Sequence, residues 1–146
     1  ISMKLLDILL ESTEKNYYKQ NGNLSDGKMI KLFNPQNEEM GFVNLINMGE
    51  GKILDYDISI FDSEEPYFDN KKSLYLYDLQ IHDNFKGNGH SKKLMNVCKN
   101  ITKKSVYDYL TLITNTDNKI ANNLYNKLGY KLYDNKDNRN FYYLKV

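Results

Sequence analysis

Between Leu74 and Ile101 the spacing of apolar residues changes from strand-like to helical, and the change falls across two glycines, Gly87 and Gly89. Leu74, Leu76, Leu79 and Ile81 read as a strand, and the broken alternation between Leu76 and Leu79 marks a bulge. Leu94, Val97, Cys98 and Ile101 then recur at helical spacing, with lysines on the other face. A strand that feeds a helix through a glycine turn commits the middle of the chain to a mixed arrangement of helix and sheet. The turn also has a chemical reading. Glycines let backbone N–H groups approach a ligand with no Cβ in the way. The helix N-terminus adds unpaired N–H groups and partial positive charge, which suit phosphate. From Asn84 to Val106 the chain carries six lysines (86, 92, 93, 99, 103, 104) and no acidic residue.

At 146 residues the chain suits one domain, expected over 3–146, with Ile1-Ser2 read as an addition ahead of a native start at Met3. A formal net charge of +1 excludes a globally basic nucleic-acid binder. The local asymmetry is more informative. Between Glu38 and Asp69 there are nine acidic residues and one lysine, a surface suited to a cation. Cys98 is the only cysteine, so no intrachain disulfide forms, and a reducing, cytoplasmic setting fits. Two histidines and one cysteine are too few for an ordinary structural zinc site, and no metal is expected. The opening run Leu5 to Leu10 is short and broken by Asp7, so it is neither a signal peptide nor a membrane span.

Periodicity predicts a first helix from Met3 to about Tyr18, a loop over Gln20 to Gly27, and a strand from Met29 to Phe33. Met40 to Met48 and Lys52 to Phe61 read as two strands joined at Gly49 or Gly51. Ser63 to Lys72 is polar, carries Pro66 and reads as an exposed loop. After the central strand and helix, Tyr109 to Thr114 is a strand, and Asp117-Asn118 opens a second helix closed by Gly129. Tyr130 to Tyr133 and Phe141 to Val146 complete the pattern as two strands. The expected class is α+β, with the order helix, four strands, helix, strand, helix, two strands.

Two segments carry a family likeness. Lys86-Gly87-Asn88-Gly89-His90-Ser91 resembles the acyl-CoA signature of the GNAT superfamily of N-acetyltransferases, usually written Gln/Arg-x-x-Gly-x-Gly/Ala. Asn118 to Tyr130, with Ala121, Leu124-Tyr125 and Lys127-Leu128-Gly129-Tyr130, resembles the same family's later motif. The likeness spans roughly Leu74 to the C-terminus. Lys86 and Ser91 depart from the usual residues. Serine still allows a close backbone approach, and lysine keeps the charge but lacks the fork of arginine. A phosphate loop of the Gly-x-x-x-x-Gly-Lys-Ser/Thr type is absent.

The resemblance implies a GNAT-like, mostly antiparallel twisted sheet and acetyl-CoA as acyl donor. Backbone N–H groups of Lys86, Gly87, Asn88, Gly89, His90 and Ser91 would hold its pyrophosphate. Leu79 and Ile81 would lie at the splayed strand end that pairs with the pantetheine arm, and a nearby N–H would polarise the thioester carbonyl. Asn118 would cap the second helix and contact the cofactor; capping alone also explains it. Tyr125 would protonate the departing thiolate, against the simpler reading of an aromatic core residue. Asp78 is the nearest acidic candidate for a general base, followed by His82 and Asp83, while Tyr75 is placed to order a water. Cys98, on the apolar stripe, reads as a buried inert thiol. The expected acceptor is a primary amine, small molecule or peptide, of cationic character, for a monomer or homodimer with neither nucleic acid nor membrane as partner. The competing readings are a GNAT-like binding module without turnover and a nucleic-acid binder acting through the lysine helix.

Overall fold

The computed structural model describes residues 15–24, 26–50, 52–53, 56–57 and 72–146. The strands are β1 (Tyr17–Asn21), β2 (Lys28–Phe33), β3 (Glu39–Glu50), β4 (Lys52–Ile53), β5 (Tyr56–Asp57), β6 (Lys72–Ile81), β7 (Tyr109–Asn115), β8 (Lys131–Lys136) and β9 (Arg139–Lys145). The described helices are α1 (His90–Lys104) and α2 (Lys119–Lys127), with a 3-10 turn at Asp83–Phe85. Seven strands form one sheet in the order β1-β2-β3-β6-β7-β9-β8. Every neighbouring pair is antiparallel except β6 and β7, the two strands joined through α1. The α+β class is as expected.

Two local expectations are revised. The proposed first helix falls largely outside the described residues, but Tyr17 and Tyr18 belong to β1, paired with Phe33 and Leu32. That strand is mostly exposed and polar, so it shows no alternation to read. The described residues of the strand expected over Lys52 to Phe61 do not join the main sheet. They form the two-residue ladder Lys52↔Asp57 and Ile53↔Tyr56, while β3 pairs with β2 and β6. The loop expected over Ser63 to Lys72 lies outside the described residues, save Lys72, which opens β6.

The apolar stripe of α1 explains its position. Leu94, Met95 and Cys98 are buried against Ile30, Leu32, Val43, Leu45, Leu74, Leu76, Leu110 and Leu112 from four strands of the sheet. Burying each such side chain fully is worth roughly 1.5–3 kcal/mol. From α2, Tyr125 enters the same core beside Tyr130 and Tyr142. Burial drives the Cys98 thiol well above its usual value, so it is an inert core group. The predicted helix ends also hold. The Asn118 side chain accepts from the Ala121 N–H at 3.1 Å, and Gly129, just past α2, has φ 89°.

Candidate functional site

The parallel ladder between β6 and β7 is short. It runs only through Ser73↔Tyr109, Leu74↔Leu110 and Tyr75↔Thr111. Beyond it β7 continues against β9 and β6 continues against β3, so the strands part. From Leu76 to Ile81 the β7-facing edge of β6 therefore has no ladder partner. A bulge adds to the divergence: Phe42 opposes Gln80 and Asn44 opposes Tyr77, leaving Asp78 and Leu79 against Val43 alone. Asp78 takes φ 53°, an unusual conformation for a residue other than glycine.

Close contact between β3 and β6 holds this edge in place. A Cβ on Gly41 would stand 2.5 Å from the Gln80 carbonyl oxygen and 2.7 Å from Ile81 Cδ1, so only glycine fits there. At the strand end the His82 N–H donates to the Met40 carbonyl at 2.8 Å, and its Nε2 lies 2.7 Å from Glu39 Oε2. Hydrogen bonds from His82 and then Lys31 hold the Glu39 carboxyl below its usual value.

The chain then turns into α1. Asp83 and Lys86 form an ion pair at 2.9 Å, and the Lys86 ammonium lowers the fully exposed Asp83 carboxyl. Gly89, at φ 77°, is the N-cap residue of α1 and offers no side-chain cap. The first turn of α1 contains no acidic residue, so its N–H groups and dipole are uncompensated by side chains. A Cβ placed on Gly87 or Gly89 would meet nothing within 4 Å, so the turn faces open space. His90 is 8% exposed, and its Nδ1 is buried without a hydrogen-bond partner. Burial, helped by Lys93, lowers its pKa and favours the neutral ring.

These parts surround one cleft of about 900 Å³. Leu79, Ile81, Lys86, Gly87, Gly89, His90, Ser91, Asn118 and Tyr125, all singled out from sequence, line it together. Asn88 and Asp78 do not. The Asn88 amide folds back toward the Phe85 and Lys86 carbonyls, and Asp78 is an exposed bulge residue. Asp78 does act on its neighbour Tyr75, whose hydroxyl is pushed up first by burial and then by that carboxylate. Tyr125 is 8% exposed, its phenol raised by burial and secondarily by Tyr142. Its hydroxyl makes no hydrogen bond among the described residues. Apolar Phe85, Ile120, Ala121 and Leu124 complete the wall, with Ile120 85% exposed.

Residues 68–139 match the model of the family described as FR47-like protein. That stretch contains the splayed end of β6 and the glycine turn into α1, and the fold around them is the one shared with solved GNAT structures. This is a GNAT-fold chain. Its fold matches Arabidopsis thaliana NAA60 in complex with acetyl-CoA, at a TM-score of 0.67 and 14% identity, covering 86% of this chain and 78% of that one. It also matches a GNAT family acetyltransferase from Elizabethkingia anophelis with acetyl-CoA bound, at a TM-score of 0.62 and 13% identity, covering 99% and 84%. A GNAT family acetyltransferase from Listeria monocytogenes aligns at a TM-score of 0.59 and 15% identity over 81% of this chain; the GNAT-fold chain spans only 64% of that structure's length. A comparison with curated proteins finds no sequence match.

Sequence reasoning missed Glu39, Gly41 and Asn122 in the GNAT-fold chain. The first two act through contacts between β3 and β6 that no local pattern announces. Asn122 lies inside the recognised motif but gave no separate signal. Among the described residues no group of three His, Cys, Asp or Glu is placed to hold a metal ion, and no helix is long and apolar enough to cross a membrane.

Proposed function

We propose that this chain is an acyl-CoA-dependent N-acyltransferase that transfers acetyl from acetyl-CoA to a primary amine in a ternary complex. The observation that carries the reading is the cleft, where a free strand edge, a glycine turn with open space above it and the N-terminus of α1 meet Tyr125. These features fit the donor. The edge at Leu79 to Ile81 offers backbone groups to an extended pantetheine arm. The Lys86–Ser91 backbone and the dipole of α1 suit a pyrophosphate, with Asn118 at the facing helix end.

The amine nitrogen bonds to the thioester carbonyl carbon, whose oxygen is polarised by the bulge N–H groups, and the carbon–sulfur bond breaks. The thiolate takes a proton from Tyr125, and the new ammonium group releases one, so the net transfer is one proton from amine to thiol. A phenol raised by burial keeps that proton until the thiolate forms. Asp78 is the proposed base. Because it stands outside the cleft lining, as Tyr75 also does, it acts through an ordered water, and positioning of the amine against the thioester supplies most of the acceleration. The cationic acceptor preference rests on the acidic stretch 38–69, of which 51, 54–55 and 58–69 fall outside the described residues.

The test is thiol release from acetyl-CoA with a panel of polyamine, aminoglycoside, lysine and peptide N-terminal acceptors, comparing wild type with Tyr125→Phe. Failure to bind acetyl-CoA by calorimetry overturns the reading. The position of Asp78 favours one second reading, an acyl-CoA-binding module without turnover. Binding without transfer to any acceptor would select it.

A further inference from the structure

One amide joins three elements behind Tyr125. Asn122, half-buried on α2, donates through Nδ2 to the carbonyls of Asn118 at 2.8 Å and Asn115 at 3.0 Å. Its Oδ1 accepts from Asn140 Nδ2 at 3.0 Å and from the Tyr142 hydroxyl at 2.6 Å. Both N–H groups and both lone pairs of the side chain are thus used, which fixes its orientation. The partners lie at the end of β7, at the N-cap of α2 and on β9. Tyr142 in turn meets the Tyr125 ring edge-on, with centroids 5.6 Å apart, while Tyr130 packs against Tyr125 at 5.9 Å. Neither Asn122 nor Tyr142 lines the cleft.

We infer that Asn122 and Tyr142 are positioning residues that set the Tyr125 hydroxyl for proton donation to the leaving thiolate, an inference that rests on the proposed acyl transfer. The Tyr142 proton is committed to Asn122, so Tyr142 donates nothing to the Tyr125 hydroxyl, which itself makes no hydrogen bond among the described residues. Tyr125, one helical turn beyond Asn122, is left with its ring clamped and its hydroxyl free to serve a ligand.

A double-mutant cycle on the full chain separates this role from a structural one. Tyr142→Phe keeps the ring contact and removes only the hydroxyl. It is expected to lower kcat about five- to tenfold while KM for acetyl-CoA stays within about twofold. In a Tyr125→Phe background the same change is expected to lower kcat no further, because the group it positions is gone. Asn122→Asp, which keeps the shape but loses both donors, is expected to follow the same pattern with a larger fall. Unchanged kcat in Tyr142→Phe, or an equal fall in both backgrounds, overturns the inference. Should acetyl-CoA fail to bind wild type at all, the acyl-transfer reading falls first; should Tyr125→Phe retain full kcat, the acid role and this inference fall together while donor binding stands.

Discussion

Glu39 Oε2 lies 2.7 Å from His82 Nε2 and Glu39 Oε1 lies 3.0 Å from Lys31, so one carboxylate ties the end of β6 to β3 and β2. The three side chains are 30–40% exposed, and pairs of this kind contribute about 0.2–1 kcal/mol. The folded-state pKa of Glu39 is lowered, so its stabilisation is present above the unfolded carboxylate value and is lost as pH falls through the folded one. Glu39→Gln is therefore expected to be less stable at pH 7, with the gap from wild type narrower at a second, acidic pH below the ordinary carboxylate range. Denaturant midpoints at the two pH values check this; a gap that persists in acid would point to lost packing.

Gly41→Ala places a methyl group against backbone atoms of Gln80 and Ile81. Backbone cannot swing aside as a flexible side-chain tip can, so β3 and β6 must separate. The expected loss is about 1–3 kcal/mol, with weaker acetyl-CoA binding because the moved strand carries the free cleft edge. Calorimetry and thermal melting on the same preparation read both effects.

Gly89→Ala meets no atom but must hold φ 77°. The conformation alone costs roughly 1–2 kcal/mol. The added methyl also stands in the open space where the proposed phosphates approach. Acetyl-CoA affinity is expected to fall about tenfold, the counterpart of about 1.4 kcal/mol. Retention of wild-type affinity would remove the turn from the binding site.

Tyr125 retains its proton beyond its unperturbed pKa of 10.0, since burial and Tyr142 both raise it. Its ionisation should not depress the rate between pH 7 and 9.5, and kcat/KM is expected to rise across that range as the acceptor amine loses its proton. Tyr125→Phe is expected to lower kcat by about a hundredfold without changing the calorimetric affinity for acetyl-CoA. A falling alkaline limb shared by wild type and Tyr125→Phe would assign that limb to another group.

Asn118→Ala removes the acceptor for the Ala121 N–H and should cost about 1 kcal/mol. If Asn118 also touches the donor, affinity falls beyond what rescue by Asn118→Ser restores, since serine caps equally well but has a different reach.

Local patterns determined a good part of this molecule. Helix α1 follows from Leu94, Cys98 and Ile101, α2 from the Asn118 cap and the Gly129 stop, and the β6 bulge from the break between Leu76 and Leu79. Each depends on interactions within a few residues, so each leaves a mark in a short window of sequence. The Lys86–Ser91 and Asn118–Tyr130 motifs were legible for the same reason. The remainder depended on partners far along the chain. Strand β1 is a strand because β2 offers it an edge, not because Tyr17 to Asn21 alternate. Lys52–Ile53 pairs with Tyr56–Asp57 instead of extending the sheet because β6 takes that side of β3. Only tertiary structure joined Glu39 to His82, set Gly41 under Gln80, placed Asp78 outside the cleft and gathered Asn115, Asn118, Asn140 and Tyr142 around Asn122. Polar side chains of this kind have several possible partners in sequence, and the choice is made by which backbones the packed core brings within hydrogen-bonding reach.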